Sequence, residues 1–290
     1  MKGCSVIALM VRRAIWLIYR AMDNTFTYNE RGMMSQQRIA LVTGASTGIG
    51  AATVRRLCKD GLKVVAAARR KERLARLAEE TGCEYVVVDI TDEKSVAECV
   101  RRVNSLGGLD VLVNNAGGAR GVDSVAEGKI DDWRAMYELN VVGTLRMTQA
   151  FLPQLRERAG DIVFITSTAA QEAYKGGAGY TAAKHAERMI KDTLRLELLG
   201  EPVRLMEIRP GMVMTEEFSL NRLGDRQAAK AVYAGVDEPL LAEDIADIVG
   251  WVVGAPKHVN VDSVVVRPVM QANSWTVARE GHKDKELPAR

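Results

Sequence analysis

Short unbroken apolar runs, spaced by helix-length amphipathic stretches, restrict what this chain can fold into more than any other feature. These runs lie in candidate strands at 39–42, 63–68, 85–90, 111–113, 162–165, 203–208 and 261–266, the sixth of which also carries Arg204 and Glu207. Runs such as VVAAA, YVVVDI and DSVVV lack apolar/polar alternation, as expected of parallel strands covered by helices on both faces. Helical patterns occupy 51–60, 71–80 (with Leu74 and Leu77 on one face), 93–106, 130–156, 178–199 and 242–253. Seven strands alternating with six helices, joined by right-handed crossovers, predict an α/β fold: one Rossmann-type doubly wound domain, a seven-stranded parallel sheet with helices on both faces. The domain is expected over 38–270. An N-terminal extension over 1–37 precedes it, and a polar tail over 271–290, with little to pack and therefore loosely held, follows.

Charge separates the extension from the body. The chain of 290 residues has a formal charge of +3. Its first 33 residues hold five basic and two acidic side chains, so the remainder is neutral. A nucleic-acid-binding body needs a basic excess, and none is present. Within the extension, Arg12 and Arg13 divide two apolar stretches, leaving no run near the ~20 residues of a membrane span. The segment reads as a basic amphipathic stretch, as a leader without a clear cleavage site, or as residues upstream of a start at Met33 or Met34. Cys4, Cys58, Cys83 and Cys99 lack CxxC spacing and read as reduced thiols of a cytoplasmic protein. Three scattered histidines make a metal site improbable.

Directly after the first strand stands Thr43-Gly44-Ala45-Ser46-Thr47-Gly48-Ile49-Gly50. Glycines at a strand-to-helix turn let backbone N–H groups and the helix dipole meet a pyrophosphate without Cβ obstruction. The spacing is G-x-x-x-G-x-G rather than G-x-G-x-x-G. At the end of the second strand an acidic residue would bind a ribose 2′-hydroxyl, whereas arginine accommodates a 2′-phosphate. Here Ala68 is followed by Arg69 and Arg70. Arg69, with Arg70 as a second candidate, favours NADP(H), with NAD(H) still possible; charges at a helix start are the alternative.

Tyr180 and Lys184 stand at i and i+4 of a predicted helix and share a face. Ser167 closes the strand before them, Asn140 sits in the long helix over 130–156, and Asn114-Asn115-Ala116-Gly117 follows the fourth strand. With TGASTGIG, LNVVG, YTAAK and Arg209-Pro210-Gly211 in this order, the sequence resembles the short-chain dehydrogenase/reductase family across roughly 38–268. The resemblance implies a catalytic tetrad of Asn140, Ser167, Tyr180 and Lys184. It places the cofactor against the glycine loop (Gly44, Ser46, Thr47, Gly48, Ile49, Gly50). By the same resemblance Asp89 and Ile90 border the adenine, Asn115, Ala116 and Gly117 support the cofactor, and Pro210, Gly211, Val213 and Thr215 reach it, Thr215 at the carboxamide. It also implies a homo-oligomer, tetramer or dimer, built by the two long helices and the last strand.

The chemistry follows from the side chains. A tyrosine of pKa ≈ 10 is ionised about one part in a thousand at pH 7. A nearby ammonium favours the phenolate, so Lys184 is expected to lower the pKa of Tyr180 toward a useful acid/base range. Ser167 is expected to hydrogen-bond the substrate oxygen. The Asn140 amide is expected to hold a water that links Lys184 to solvent.

Residues 212–241 are the expected substrate lid, with Met212, Met214, Phe218 and Tyr174 as a possible apolar wall. Thr215-Glu216-Glu217-Phe218-Ser219 and His258-Val259-Asn260-Val261 resemble a subgroup acting with NADP on 3-hydroxy acids and serine-like substrates. If so, Arg222 or Arg226 would bind a substrate carboxylate. The sequence thus predicts an NADP-dependent oxidoreductase of a secondary alcohol and its carbonyl, the alternative being a catalytically silent NADP-binding regulatory protein.

Overall fold

Nine strands are present in the computed structural model, which describes residues 37–280: β1 (Ile39–Thr43), β2 (Lys63–Ala68), β3 (Glu84–Val87), β4 (Val111–Asn114), β5 (Asp161–Ile165), β6 (Arg204–Pro210), β7 (Val213–Met214), β8 (Leu240–Leu241) and β9 (Ser263–Val266). Seven pair in parallel in the order β3-β2-β1-β4-β5-β6-β9, and β7 pairs with β8 apart from them. The expectations attached to the basic segment over 1–33, and the end of the polar tail, lie outside the described residues.

The α-helices among the described residues are α1 (Gly48–Lys59), α2 (Lys71–Thr81), α3 (Glu93–Ser105), α4 (Ile130–Tyr137), α5 (Gly143–Glu157), α6 (Ala178–Glu197), α7 (Phe218–Leu223), α8 (Arg226–Ala231) and α9 (Ala242–Gly254). Alternation along each strand feeds two cores. Ala40 and Val42 pack with Val54, Leu57, Val249 and Val252 of α1 and α9, while Leu41 packs with Phe151 and Leu155 of α5 and with Phe164. Both faces of the central strands are therefore dry, which is why those strands read as largely apolar, while the edge strands β3 and β9 are partly exposed. The strand order reverses between β1 and β4, all strands staying parallel, and this opens a crevice at the strand C-termini, where ligands of such sheets bind. At the other end Asp161 is fully buried and takes Arg204 bidentately, at 2.7 and 2.8 Å, with Arg38 also on it.

Three features differ from the sequence-based expectation. The helix expected over 130–156 is broken by a π turn, Glu138–Val142, which carries Asn140. The lid holds two short helices, α7 and α8, rather than irregular chain alone. Residues 271–280 are not loose: Gln271 is buried and its Oε1 accepts from Met212 N at 2.7 Å, and Ser274 N donates to Glu172 at 2.8 Å. Apolar content missed this segment because hydrogen bonds to polar side chains, not apolar burial, anchor it.

Candidate active site

The glycine loop sits between β1 and α1, with Gly44 and Gly48 at φ +66° and +52°. Glycine adopts those values at little cost, whereas a residue with a side chain does not. A Cβ on Gly44 would stand 2.8 Å from Asn115 Nδ2, and one on Gly50 would collide with the Gly44 carbonyl. Thr43 ties this loop to the next one. Its Oγ1 accepts from Asn115 N and Ala116 N, both at 2.9 Å, and its carbonyl accepts from Asn115 Nδ2 at 2.8 Å. Bare backbone at the start of a twelve-residue helix suits a pyrophosphate, so these residues fit the dinucleotide.

Beside the loop, Arg70 donates to Ser46 Oγ from Nη2 (2.8 Å) and Nε (3.1 Å). Its Nη1 pairs with Glu217 at 2.6 Å, and Glu217 also pairs with Arg73 at 2.9 Å. Arg69 is exposed, and its charge helps to hold the Asp89 carboxyl below the usual range against the effect of burial, together with hydrogen bonds from Thr91. The cation at the loop is thus Arg70, with Arg69 turned toward the third strand. Ile90 is buried against Gly143.

A cavity of about 510 Å³ opens over the strand ends. The glycine loop, Asn115 to Gly117, Ser167, Tyr180 and Lys184 line it, as do Pro210, Gly211, Val213 and Thr215. Ser46, Arg69, Arg70, Asp89, Ile90 and Asn140 stand outside this lining.

Ser167 ends the β5 segment in extended backbone and caps a 3₁₀ turn, accepting from Ala169 N at 3.1 Å. Tyr180 and Lys184 lie on the buried face of α6, Nζ being 6.0 Å from the Tyr180 ring centroid. Phe218 of the lid meets Tyr180 edge-on, ring centroids 5.7 Å apart. Burial pushes the Tyr180 hydroxyl pKa up; the Lys184 charge and a hydrogen bond with Ser167 pull against it without reversing it. The expected lowering is therefore not achieved by the protein's own groups. The neighbouring Glu187 carboxylate adds to the upward shift.

Asn140 makes three hydrogen bonds within the protein. Its Nδ2 donates to Met136 O (2.7 Å) and Gly118 O (2.9 Å), and its Oδ1 accepts from Gly118 N (3.0 Å). The amide is occupied in fixing the loop after β4. It still converges on Lys184, since a Cβ on Gly117 would stand 2.7 Å from Asn140 Oδ1 and 3.2 Å from Nζ.

The lid brings Arg222 to the cavity but leaves Arg226 exposed outside it. Arg222 donates to Gly121 O, Tyr174 Oη and Gly176 O at 3.0–3.1 Å and lies 6.0 Å from the Tyr180 ring centroid. Tyr174, Met212 and Phe218 form cavity wall; Met214 is exposed and does not. Asn260 accepts from Leu205 N at 2.7 Å, a structural bond within the sheet's edge. Sequence reasoning missed Thr43, Glu187, Gln271 and Ser274. Of these, only Glu187 left a trace, as a charge one turn past Lys184 on a helix face otherwise buried.

The short chain dehydrogenase family profile matches residues 38–223, and the chain belongs to that family. An uncharacterized oxidoreductase of Mycobacterium tuberculosis is 52% identical over 242 residues, 83% of this chain and 94% of the relative. Serine 3-dehydrogenase of Rhizobium radiobacter is 38% identical over 80% of this chain and 94% of its own. NADP-dependent 3-hydroxy acid dehydrogenase of Salmonella typhi is 40% identical over 81% and 96%. Among solved structures, the closed form of a serine dehydrogenase complexed with NADP+ superposes with a TM-score of 0.79 at 37% identity, covering 83% of this chain and all of that one. The chain is accordingly an oxidoreductase of the dehydrogenase type.

Proposed function

We propose that this protein is an NADP-dependent dehydrogenase acting at the C3 hydroxyl of a small 3-hydroxy acid, with Tyr180 as general acid/base. Arg222 carries the substrate assignment. It reaches the cavity beside Tyr180, and among the described residues no carboxylate pairs with it. Three of its five N–H groups are used, leaving two for a ligand carboxylate. The 3-hydroxy acid and serine dehydrogenase relatives point the same way.

The bound nicotinamide would exchange hydride with the alcohol carbon. In oxidation Tyr180 takes the hydroxyl proton, and in reduction it returns one to the developing alkoxide. Ser167 orients that oxygen by hydrogen bonding. Lys184 supplies the positive charge that favours phenolate. The glycine loop would hold the pyrophosphate, and Ser46 with Arg70 a 2′-phosphate. Asp89 and Ile90 would border the adenine, and Thr215 the carboxamide.

The exposed Leu145 of α5 and Met189 of α6 support a homo-oligomer through these helices, to be checked by light scattering. The described cysteines are free thiols, and burial pushes Cys99 up to about 12, which makes it unreactive.

The deciding experiment compares NADP+ reduction with 3-hydroxy acids, serine among them, and with their methyl esters. The acids should be turned over and the uncharged esters poorly. Equal activity on both would remove the carboxylate reading, and none across alcohols and carbonyls despite NADPH binding would favour the silent binding protein.

A further inference from the structure

The buried face of α6 carries an ion pair that the chemistry above does not use. Lys184 Nζ donates to Glu187 Oε2 at 2.6 Å, one turn along the helix, and to Ile165 O at 3.3 Å. The two side chains are 4% and 1% exposed. Exposed pairs at this spacing contribute a few tenths of a kcal/mol. A buried one is a different object: removing two charges from water costs several kcal/mol per ion, and apolar side chains of like volume are often as stable or more so. Stability gives no reason for a glutamate at this position.

The reactivity of the neighbours gives one. A buried lysine without a partner tends to lose its proton. A neutral amine has no charge with which to favour the Tyr180 phenolate. The groups that face Glu187 are Lys184 and Tyr180 on its own helix, Glu207 on β6 and the Thr144 hydroxyl on α5. Glu207 is engaged elsewhere, accepting from Thr166 Oγ1 and Arg209 Nη2, both at 2.6 Å. Among the described residues, Glu187 is the carboxylate in direct contact with Lys184.

We propose that Glu187 is a positioning residue: it is the counter-ion that keeps Lys184 an ammonium and anchors it next to Tyr180 inside the protein. The arrangement has a cost, since the carboxylate offsets part of the pull that Lys184 exerts on the tyrosine. It also has a lower pH bound. Burial pushes Glu187 up to about 7 even with Lys184 beside it, and its carboxylate form fades below that pH.

The proposal rests on Lys184 acting as described under the proposed function, so its test is built to work without turnover. In lysine side-chain nitrogen NMR of the full chain, the Lys184 signal is assigned by its loss in Lys184→Arg. Glu187→Gln should lower the pH at which Lys184 sheds its proton by about one unit or more. Glu187→Asp keeps the charge but withdraws it by one methylene, and should fall between. In assays with NADP+ and a 3-hydroxy acid, Glu187→Gln should lose about tenfold in kcat, with part recovered in Glu187→Asp. An unmoved Lys184 titration in Glu187→Gln overturns the proposal; if that variant does not fold, an unmoved titration in Glu187→Asp does. A shifted titration in a protein that oxidises no alcohol would uphold the counter-ion and overturn only the catalytic reading.

Discussion

Arg70 gives two hydrogen bonds to a single oxygen, the Ser46 hydroxyl, and so joins the end of β2 to the glycine loop. On the proposed reading, this guanidinium and hydroxyl beside the glycine loop would receive one further phosphate group. Hydrogen bonds to charged groups are worth about 1.5–3 kcal/mol, or roughly ten- to a hundredfold in affinity. Arg70→Ala should weaken NADPH binding by that factor in a fluorescence titration and leave NADH nearly unchanged. Arg69→Asp should do less, because Arg69 faces Asp89 instead. Equal losses for both nucleotides in Arg70→Ala would place the phosphate elsewhere.

Glu217 competes for the same cation. It is 13% exposed and sits on both Arg70 and Arg73 from the start of the lid. A 2′-phosphate at Arg70 would have to displace or crowd this carboxylate. Partly exposed pairs are worth up to about 1 kcal/mol, so Glu217→Gln should tighten NADPH binding about two- to fivefold, with NADH unaffected. Weaker NADPH binding in that variant would show the carboxylate to be part of the receptor rather than its rival.

Tyr180→Phe removes the one hydroxyl placed for proton transfer and little else, the ring remaining packed on Phe218. The expected result is a fall in kcat of about two to four orders of magnitude with the NADPH dissociation constant preserved. Since burial holds the Tyr180 pKa up in the protein alone, oxidation should rise with pH along an alkaline limb. On the proposed mechanism the phenolate is the base, so activity should grow as the proton leaves. A residual rate near wild type, or an unchanged limb in Tyr180→Phe, would reassign the base.

The sheet was legible in the sequence because strands dry on both faces can tolerate little but apolar residues, as at Val64 to Ala68. The glycine loop, Ser167, Tyr180 and Lys184 were legible because turn geometry and chemistry both restrict residue type there. Arg70 was harder to separate from Arg69, as neighbours at a strand end differ only in the direction they take. The π turn at Asn140 left no signal, since helix periodicity continues through it and only the hydrogen-bond register changes. Gln271 and Ser274 were hidden because polar residues that anchor through hydrogen bonds look like solvated tail.

Arg222 is the lid residue whose change should separate substrate from cofactor effects. Its guanidinium holds the Gly121 and Gly176 carbonyls and the Tyr174 hydroxyl while standing by Tyr180. Arg222→Lys keeps the charge but not the planar fork, and Arg222→Ala keeps neither. With a 3-hydroxy acid, KM should rise about tenfold or more in Arg222→Ala and less in Arg222→Lys, on the scale of a lost charged hydrogen bond. NADPH affinity should hold in both. A KM that stays at the wild-type value would show the arginine to be a strut for the lid alone.

The buried pair on α6 sets function against stability, and a mutant cycle reads the conflict directly. Removing either partner alone leaves an uncompensated buried charge, so Lys184→Met and Glu187→Met should each destabilise, by about 3–5 kcal/mol where the charge cannot be shed. Both groups have an escape, since either can neutralise by proton exchange, and the losses will be smallest where it does: at high pH for the lone lysine and at low pH for the lone glutamate. Replacing both removes two buried charges together, and the double variant should match or exceed the wild type in urea unfolding, by up to about 4 kcal/mol. It should be inactive despite that gain, because Tyr180 would then have lost the ammonium beside it on α6. A double variant less stable than either single one would mean that the ion pair is part of what holds α6 against the sheet, and only a loss larger than the sum of the single losses would reverse the sign of the coupling.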